Sequence, residues 1–153
     1  MNSSNKDIET LCSRIMSHGV QALKPKDPVS KAYTVMKDHG FHHMAICKDD
    51  GELVGVISLG DILLVASKNG DVVDVPDDTV DSIMSPNPVT CSRSHTTAQV
   101  ADMMIQHKVS CLPVLSNRNK LIGIITSTDL LELMRKSADT QLLPNELFDP
   151  VAV

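Results

Sequence analysis

The chain has 153 residues, enough for one compact domain or for two very small ones packed together. Apolar residues make up 42% and charged residues 22%, which is typical of a folded globular protein and excludes a disordered one. The net charge of −5 argues against binding to a nucleic-acid backbone or to an anionic membrane. Aromatic residues amount to only 2%, so we expect a flat ligand to lie against aliphatic side chains.

The four cysteines are widely spaced and form no Cys-x-x-Cys pair, so we interpret them as buried, reduced thiols. The first ten residues lack the basic stretch and apolar run of a signal peptide. No window reaches the roughly 18 apolar residues of a membrane span. The sequence therefore predicts a soluble, cytoplasmic protein.

At the N-terminus, apolar residues recur at helical spacing and predict a leader helix over residues 1–14. A first unit follows over residues 15–68, with the order strand, helix, strand, strand, helix. We expect Asp27 to cap its first helix, Pro28 to take the first helical position, and Gly40 to end it. The apolar residues that share one face of this helix are Val29, Ala32, Tyr33 and Met36.

Two strands and a second helix complete this unit. Residues 42–47 form a short apolar strand, residues 49–51 a turn, and residues 53–58 a Val/Ile-rich strand. The second helix begins near Leu59. An acidic linker over residues 69–82, with five aspartates, is expected to be a solvated connector.

The second unit, residues 83–136, follows the same course and leads into a C-terminal tail over residues 137–153. An offset of 68 residues superimposes Ile15-Met16-Ser17 on Ile83-Met84-Ser85 and residues 55–58 on residues 123–126, without a gap. A register preserved over a whole unit indicates a duplicated unit. Since each repeat alone leaves one sheet face uncovered, we expect the two to pack about a pseudo-two-fold axis, with a pair of clefts between them.

Each unit closes with the pattern Gly-apolar-apolar-Ser/Thr-x-x-Asp, at residues 55–61 and 123–129. With the opening Ile-Met-Ser and the segment Leu112-Pro113-Val114, the chain resembles a tandem cystathionine-β-synthase (CBS) domain pair over residues 15–135. The resemblance implies an α/β (α+β) fold of two βαββα repeats about a pseudo-two-fold axis.

The closing motif has two compatible interpretations. The Ser or Thr and the Asp three residues later are typical of a capping box at the start of a helix. The start of a helix also offers free backbone amides to a phosphate, and the carboxylate of the motif can accept hydrogen bonds from ribose hydroxyls. The resemblance implies the second role, with the Asp holding ribose and adenine lying against the other repeat.

Carried over by position, the resemblance implies two sets of ligand-binding residues. One cleft comprises Ser58, Asp61, Ser85, Val89, Thr90, Cys111 and Leu112. The other comprises Thr126, Asp129, Ser17, Gln21, His42, His43 and Met44. The ligand implied is a regulatory adenine nucleotide, AMP or ATP before ADP, NAD or S-adenosylmethionine, and no cofactor is required.

Some residues depart from the family pattern. Gly60 and Thr128 stand where many members carry an arginine that reaches a phosphate, and Ala45 replaces the usual proline. A zinc site at His42 and His43 is not expected, because adjacent side chains on a strand point to opposite faces.

The sequence contains none of the common hydrolase, P-loop or metalloprotease motifs, so no enzymatic activity is expected. The resemblance implies a free-standing sensor that signals to a partner protein; the alternative is a ligand-free dimerisation or scaffold module. Apolar residues on the second helix of each unit indicate a homodimer interface. These residues are Ile62, Leu63, Val65, Leu130, Leu131, Leu133 and Met134.

Overall fold

The computed structural model describes residues 12–69 and 72–140. Most of the expected leader helix lies outside these residues, and Cys12–Arg14 form a single 3-10 turn. The last helix continues to Thr140, into the expected tail, whose residues 141–153 lie outside the described part. No helix within the described ranges is long and apolar enough to cross a bilayer.

The first repeat contains the expected pair of antiparallel strands flanked by helices. His43 lies opposite Ser58 in this pair. The apolar face of the first helix packs on the strands, and its buried residues include Val29, Ala32 and Met36. The elements are helix α1 (Val29–His39), strands β1 (His43–Cys47) and β2 (Leu53–Ser58), and helix α2 (Leu59–Val65).

The start of α1 differs from the expectation. The helix begins at Val29, and Pro28 precedes it in an extended conformation without a side-chain cap. The Asp27 carboxylate instead accepts hydrogen bonds from the Lys24 amide at 2.8 Å and from Lys31 Nζ at 2.9 Å. Asp27 therefore stabilises the turn before the helix, and the prediction that it caps α1 was wrong.

The segment between the repeats is more ordered than a solvated connector. It forms a small antiparallel hairpin of β3 (Ser67–Asn69) and β4 (Val72–Asp74), followed by a 3-10 turn at Val80–Ser82. Val80 is fully buried in the first core, and its amide donates to the Asp27 carbonyl at 2.8 Å. The acidic linker is thus docked onto the first repeat.

The second repeat reproduces the first. Its two longer strands are antiparallel, with Cys111 opposite Thr126. Its first helix packs on these strands through Val100 and Met104 and forms a second, separate core. The elements are β5 (Ser85–Pro86), β6 (Cys91–Ser92), α3 (Thr97–His107), β7 (Cys111–Leu115), β8 (Leu121–Thr126) and α4 (Ser127–Thr140).

The two repeats exchange the beginnings of their first strands. β5, which opens the second repeat, pairs with β2 of the first repeat, and the chain then returns to its own sheet, where β6 pairs with β7. The opening of the first repeat follows the mirror course, because Ser17 bridges Ile124 and Leu23 bridges Ile46. Each opening segment therefore spans both repeats.

Glycines make this exchange possible. A Cβ atom on Gly123 would lie 2.5 Å from Met16 Sδ and 3.0 Å from the Ser17 carbonyl oxygen. A Cβ atom on Gly55 would collide with Met84 Sδ and lie 3.1 Å from the Ser85 carbonyl oxygen. Since backbone as well as side chain blocks the added atom, only glycine allows the opening segment to cross the strand at this distance.

We expect Gly55→Ala and Gly123→Ala each to lower the free energy of unfolding by about 1–3 kcal/mol, because the added methyl group overpacks the crossing. Gly60→Ala is the matched control, since its Cβ would meet nothing closer than Ser58 Oγ at 3.5 Å. Urea denaturation of the three variants measures the difference. Equal stability of all three would contradict this account of the crossing.

Candidate functional site

A cavity of about 570 Å³ lies between the two repeats. Its volume is typical of a small-molecule site. Three stretches of chain form most of its wall: residues 17–21, residues 39–44, and residues 126–129 at the start of α4, with Ser110 and Ile124 beside them. The strand exchange brings the first stretch against the second repeat.

All seven residues of the predicted Asp129 cleft line this one cavity. They come from both repeats and from three different segments of the chain. Their convergence is a property of the fold, and their role in binding a ligand stays a prediction. The residues are Ser17, Gln21, His42, His43, Met44, Thr126 and Asp129.

Ten further residues line the cavity and were not predicted to do so. Most are immediate neighbours of predicted residues, so their proximity in sequence is the signal that could have found them. Phe41 was missed because the low aromatic content suggested purely aliphatic walls. The ten are His18, Gly19, Val20, His39, Gly40, Phe41, Ser110, Ile124, Ser127 and Thr128.

At the start of α4, the Asp129 carboxylate uses only one of its oxygens. Oδ2 accepts from the Thr126 amide at 2.7 Å and from Thr126 Oγ1 at 3.2 Å. Oδ1 has no hydrogen bond within the described residues. A carboxylate oxygen has two lone pairs, so Oδ1 offers two acceptor positions at the cavity wall.

Two amides in the first turn of α4 are also available. The Ser127 amide donates to the Ser110 carbonyl at 2.9 Å. The amides of Thr128 and Asp129 have no acceptor in the part of the chain that the structure describes. An N-terminal helix end with free amides carries partial positive charge, which favours an anionic group.

The equivalent motif in the first repeat forms a complete capping box. Ser58 Oγ accepts from the Asp61 amide at 3.1 Å, and Asp61 Oδ2 accepts from the Ser58 amide at 2.7 Å. The box is incomplete at α4, where the Thr126 hydroxyl donates to the Asp129 carboxylate and the Asp129 amide does not donate to this hydroxyl. The same motif therefore satisfies more of its own amides in the first repeat than in the second.

The seven residues of the predicted Asp61 cleft lie outside this cavity. Cys111 is buried, and Leu112 is fully buried within the second core. Their side chains pack internally, so Leu112 can offer a ligand only backbone atoms. Ser85 belongs to β5, where it pairs with Val56. The remaining members are Ser58, Asp61, Val89 and Thr90.

His43 lies where the two repeats meet. Its Nε2 is 3.3 Å from Ser110 Oγ, so a hydrogen bond joins the two repeats at the cavity wall. Burial lowers the pKa of His43, and the neighbouring His42 lowers it further, while Asp61 acts in the opposite direction. The uncharged imidazole is therefore favoured near neutral pH.

Cys111 occupies the corresponding position in the second repeat. Burial, with the nearby Asp129 carboxylate, raises the pKa of the Cys111 thiol to about 12. This cysteine is a protonated thiol at neutral pH and is not a nucleophile.

Within residues 12–69 and 72–140, no three His, Cys, Asp or Glu side chains are placed to share a metal ion.

We expect the free energy of unfolding to fall as the pH drops from about 7.5 to about 5.5, in part because of His43. Its pKa is lowered from 6.5 in the folded state, so the unfolded chain binds more protons across this range. His43→Asn should make the decrease shallower. Denaturation curves at several pH values measure this, and parallel decreases in the two proteins would contradict it.

Two repeats that exchange their opening strands and enclose a cavity between them define a tandem-repeat module. The family model of the CBS domain matches residues 12–68 and 80–136. The chain therefore belongs to the CBS domain family, and the resemblance inferred from its motifs is confirmed.

The relatives that match this chain are of two kinds, much longer proteins and a protein of similar length. L-aspartate semialdehyde sulfurtransferase of Methanosarcina acetivorans is 28% identical over 126 residues, which cover 82% of this chain and 24% of that protein. The chain spans about a quarter of the length of this and similar curated relatives. A CBS domain-containing protein of Dictyostelium discoideum is 28% identical over 136 residues, covering 84% of this chain and 94% of that protein.

A solved structure shares the fold. The crystal structure of the CBS domain pair of protein MJ0100, in complex with 5′-methylthioadenosine and S-adenosyl-L-methionine, superimposes with a TM-score of 0.73. It is 26% identical, and the match covers 83% of this chain and 97% of that one. The expected mixed α/β fold of two CBS repeats is thereby confirmed.

Proposed function

We propose that the cavity binds an adenosine-containing ligand and that the module passes this signal to a partner protein. The observation that carries the proposal is the start of α4, where Asp129 Oδ1 and the amides of Thr128 and Asp129 are free of partners among the described residues. One acceptor and two donors lie side by side on residues of the cavity wall.

This arrangement suits a nucleotide. Vicinal ribose hydroxyls are donors, and the two lone pairs of Asp129 Oδ1 accept them. The amides of Thr128 and Asp129 donate to phosphate oxygens, and the dipole of the 14-residue helix α4 adds to the attraction. These amides take the place of the arginine that many family members carry at the Thr128 position.

The hydrogen-bonding groups of the wall favour a ligand that carries phosphate. Asp129 is the one carboxylate among the described residues that line the cavity, and four imidazoles line it as well, those of His18, His39, His42 and His43. A sulfonium ligand gains nothing from imidazoles, while a phosphate accepts hydrogen bonds from them. We therefore place AMP and ATP before S-adenosylmethionine, with ADP and NAD as further candidates.

The adenosine moiety is supported by the MJ0100 domain pair, whose crystal structure contains 5′-methylthioadenosine and S-adenosyl-L-methionine.

We propose that this chain regulates rather than catalyses. The relatives named as enzymes are more than three times its length, and the match covers about a quarter of each. Four unpaired, buried thiols fit a reducing compartment such as the cytoplasm.

The competing proposal is a ligand-free scaffold. A thermal-shift screen against AMP, ADP, ATP, NAD and S-adenosylmethionine separates the two. A ligand that binds only the folded chain raises its melting temperature in proportion to its affinity and concentration. No shift with any of the five compounds would favour the scaffold.

We expect Asp129→Asn to weaken binding of AMP about ten- to a hundredfold, because the amide keeps one acceptor for Thr126 but loses the free carboxylate oxygen. Asp61→Asn is the matched control and should leave the affinity unchanged. Calorimetric titration measures both.

The sugar provides a second arm of this experiment. Deoxy-AMP should bind the native chain more weakly than AMP, and this difference should disappear in Asp129→Asn. Equal losses in the Asp129→Asn and Asp61→Asn variants, or a preference for AMP that survives in Asp129→Asn, would remove Asp129 from the ribose site.

We also propose that the chain is a homodimer. Five apolar residues of α2 and α4 are exposed, among them Leu131 at 63% and Met134 at 67%. Ile62 cannot contribute to such an interface, because its side chain is fully buried in the first core. The remaining exposed residues are Leu63, Leu64 and Val65. A two-fold dimer would cover both helices at once.

Light scattering should therefore give about twice the chain mass of 16.6 kDa at micromolar concentration. Leu131→Lys should convert the dimer to a monomer, because it places a charge in the apolar interface. Ile105→Lys is the control, since Ile105 is 74% exposed on α3, a helix that is not part of the proposed interface. A monomeric native chain would contradict the proposal.

A further inference from the structure

We propose that Phe41, supported by His39, forms the wall on which the flat base of the ligand stacks. This inference rests on the proposed function and adds the residue that selects for an aromatic base. It departs from the expectation that a flat ligand lies against aliphatic side chains.

Phe41 is unusual among the few aromatic residues of the chain. It lines the cavity and remains 44% exposed. Tyr33 is instead partly buried against the first core. Phe148, the third aromatic residue, lies outside the described part. An exposed ring at a cavity wall has an apolar face available to a ligand.

His39 holds this ring in place. The two ring centroids are 5.3 Å apart, with an angle of 15° between the planes, so the rings are stacked. His39 Nδ1 lies 3.1 Å from the Val35 carbonyl oxygen. Because a carbonyl only accepts, Nδ1 carries the hydrogen and donates it, which fixes the imidazole against Phe41.

The backbone does not require an aromatic residue here. Gly40 and its counterpart Lys108 are both left-handed, with φ of 70° and 54°. The Phe41 amide donates to the Met36 carbonyl at 3.0 Å, and the Val109 amide donates to the Met104 carbonyl at the same distance. The helix end is thus the same in both repeats.

The side chains at this shared position behave differently. Val109 packs against the second core. Phe41 remains exposed and stacks on His39 at the cavity wall. An aromatic residue that does not pack into its own core is accounted for by a contact with a flat ligand. With ribose at Asp129 of the second repeat and the base at Phe41 of the first, one ligand would connect both repeats.

Phe41→Val tests this directly, because Val109 shows that the same helix end accommodates valine. AMP, ATP and S-adenosylmethionine are titrated calorimetrically into the native chain and the variant. We expect every compound that binds the native chain to bind the variant about five- to a hundredfold more weakly. Ile105→Ala, an exposed apolar residue on α3, should leave these affinities unchanged.

A fluorescent variant provides a second readout. The chain has no tryptophan, so Phe41→Trp introduces its single indole. Stacking of adenine should quench its fluorescence, while ribose 5-phosphate, which lacks a base, should not. Unchanged fluorescence, or equal affinities in Phe41→Val, alongside binding to the native chain would overturn the stacking role alone. No binding to the native chain would overturn the proposed function as well.

Discussion

The structure depends on one crossing, repeated twice, in which an opening segment passes over a strand of the other repeat. At each crossing a methionine lies directly on a glycine, Met84 on Gly55 and Met16 on Gly123. The crossing joins two separate apolar cores into one module without merging them. It also places residues 17–21 opposite the start of α4, so the cavity exists because the opening strands are exchanged.

A shared motif does not produce a shared chemical state. Ser58 and Asp61 form a complete capping box, whereas the Thr126 hydroxyl donates a hydrogen bond to the Asp129 carboxylate. The Asp61 amide donates to Ser58 Oγ, whereas the Asp129 amide has no partner among the described residues. The helix end in the second repeat is therefore better suited to an anion, although the two sequences match at the aspartate.

Sequence periodicity predicted strands and helices well where burial is one-sided and failed where a contact outside the periodic pattern decided the outcome. The strand limits at Leu53–Ser58 and Leu121–Thr126 coincide with the prediction because apolar runs bounded by turns have few alternatives. Asp27 does not cap α1, because its carboxylate accepts hydrogen bonds from Lys24 and Lys31 instead. The acidic linker docks because Val80 completes the first core, a contact that its charged composition does not reveal.

The sequence by itself determined the duplicated unit and the family, because repeated motifs at a constant offset carry register information. The family resemblance then implied the seven residues predicted around Asp129. Only the tertiary structure decided which of the predicted residues share a cavity, since that depends on how the exchanged strands cross. The tertiary structure also decided that Phe41 is exposed at the cavity wall, while Val109 packs against the second core. Burial is set by neighbours distant in the chain, so a residue's own identity does not determine it.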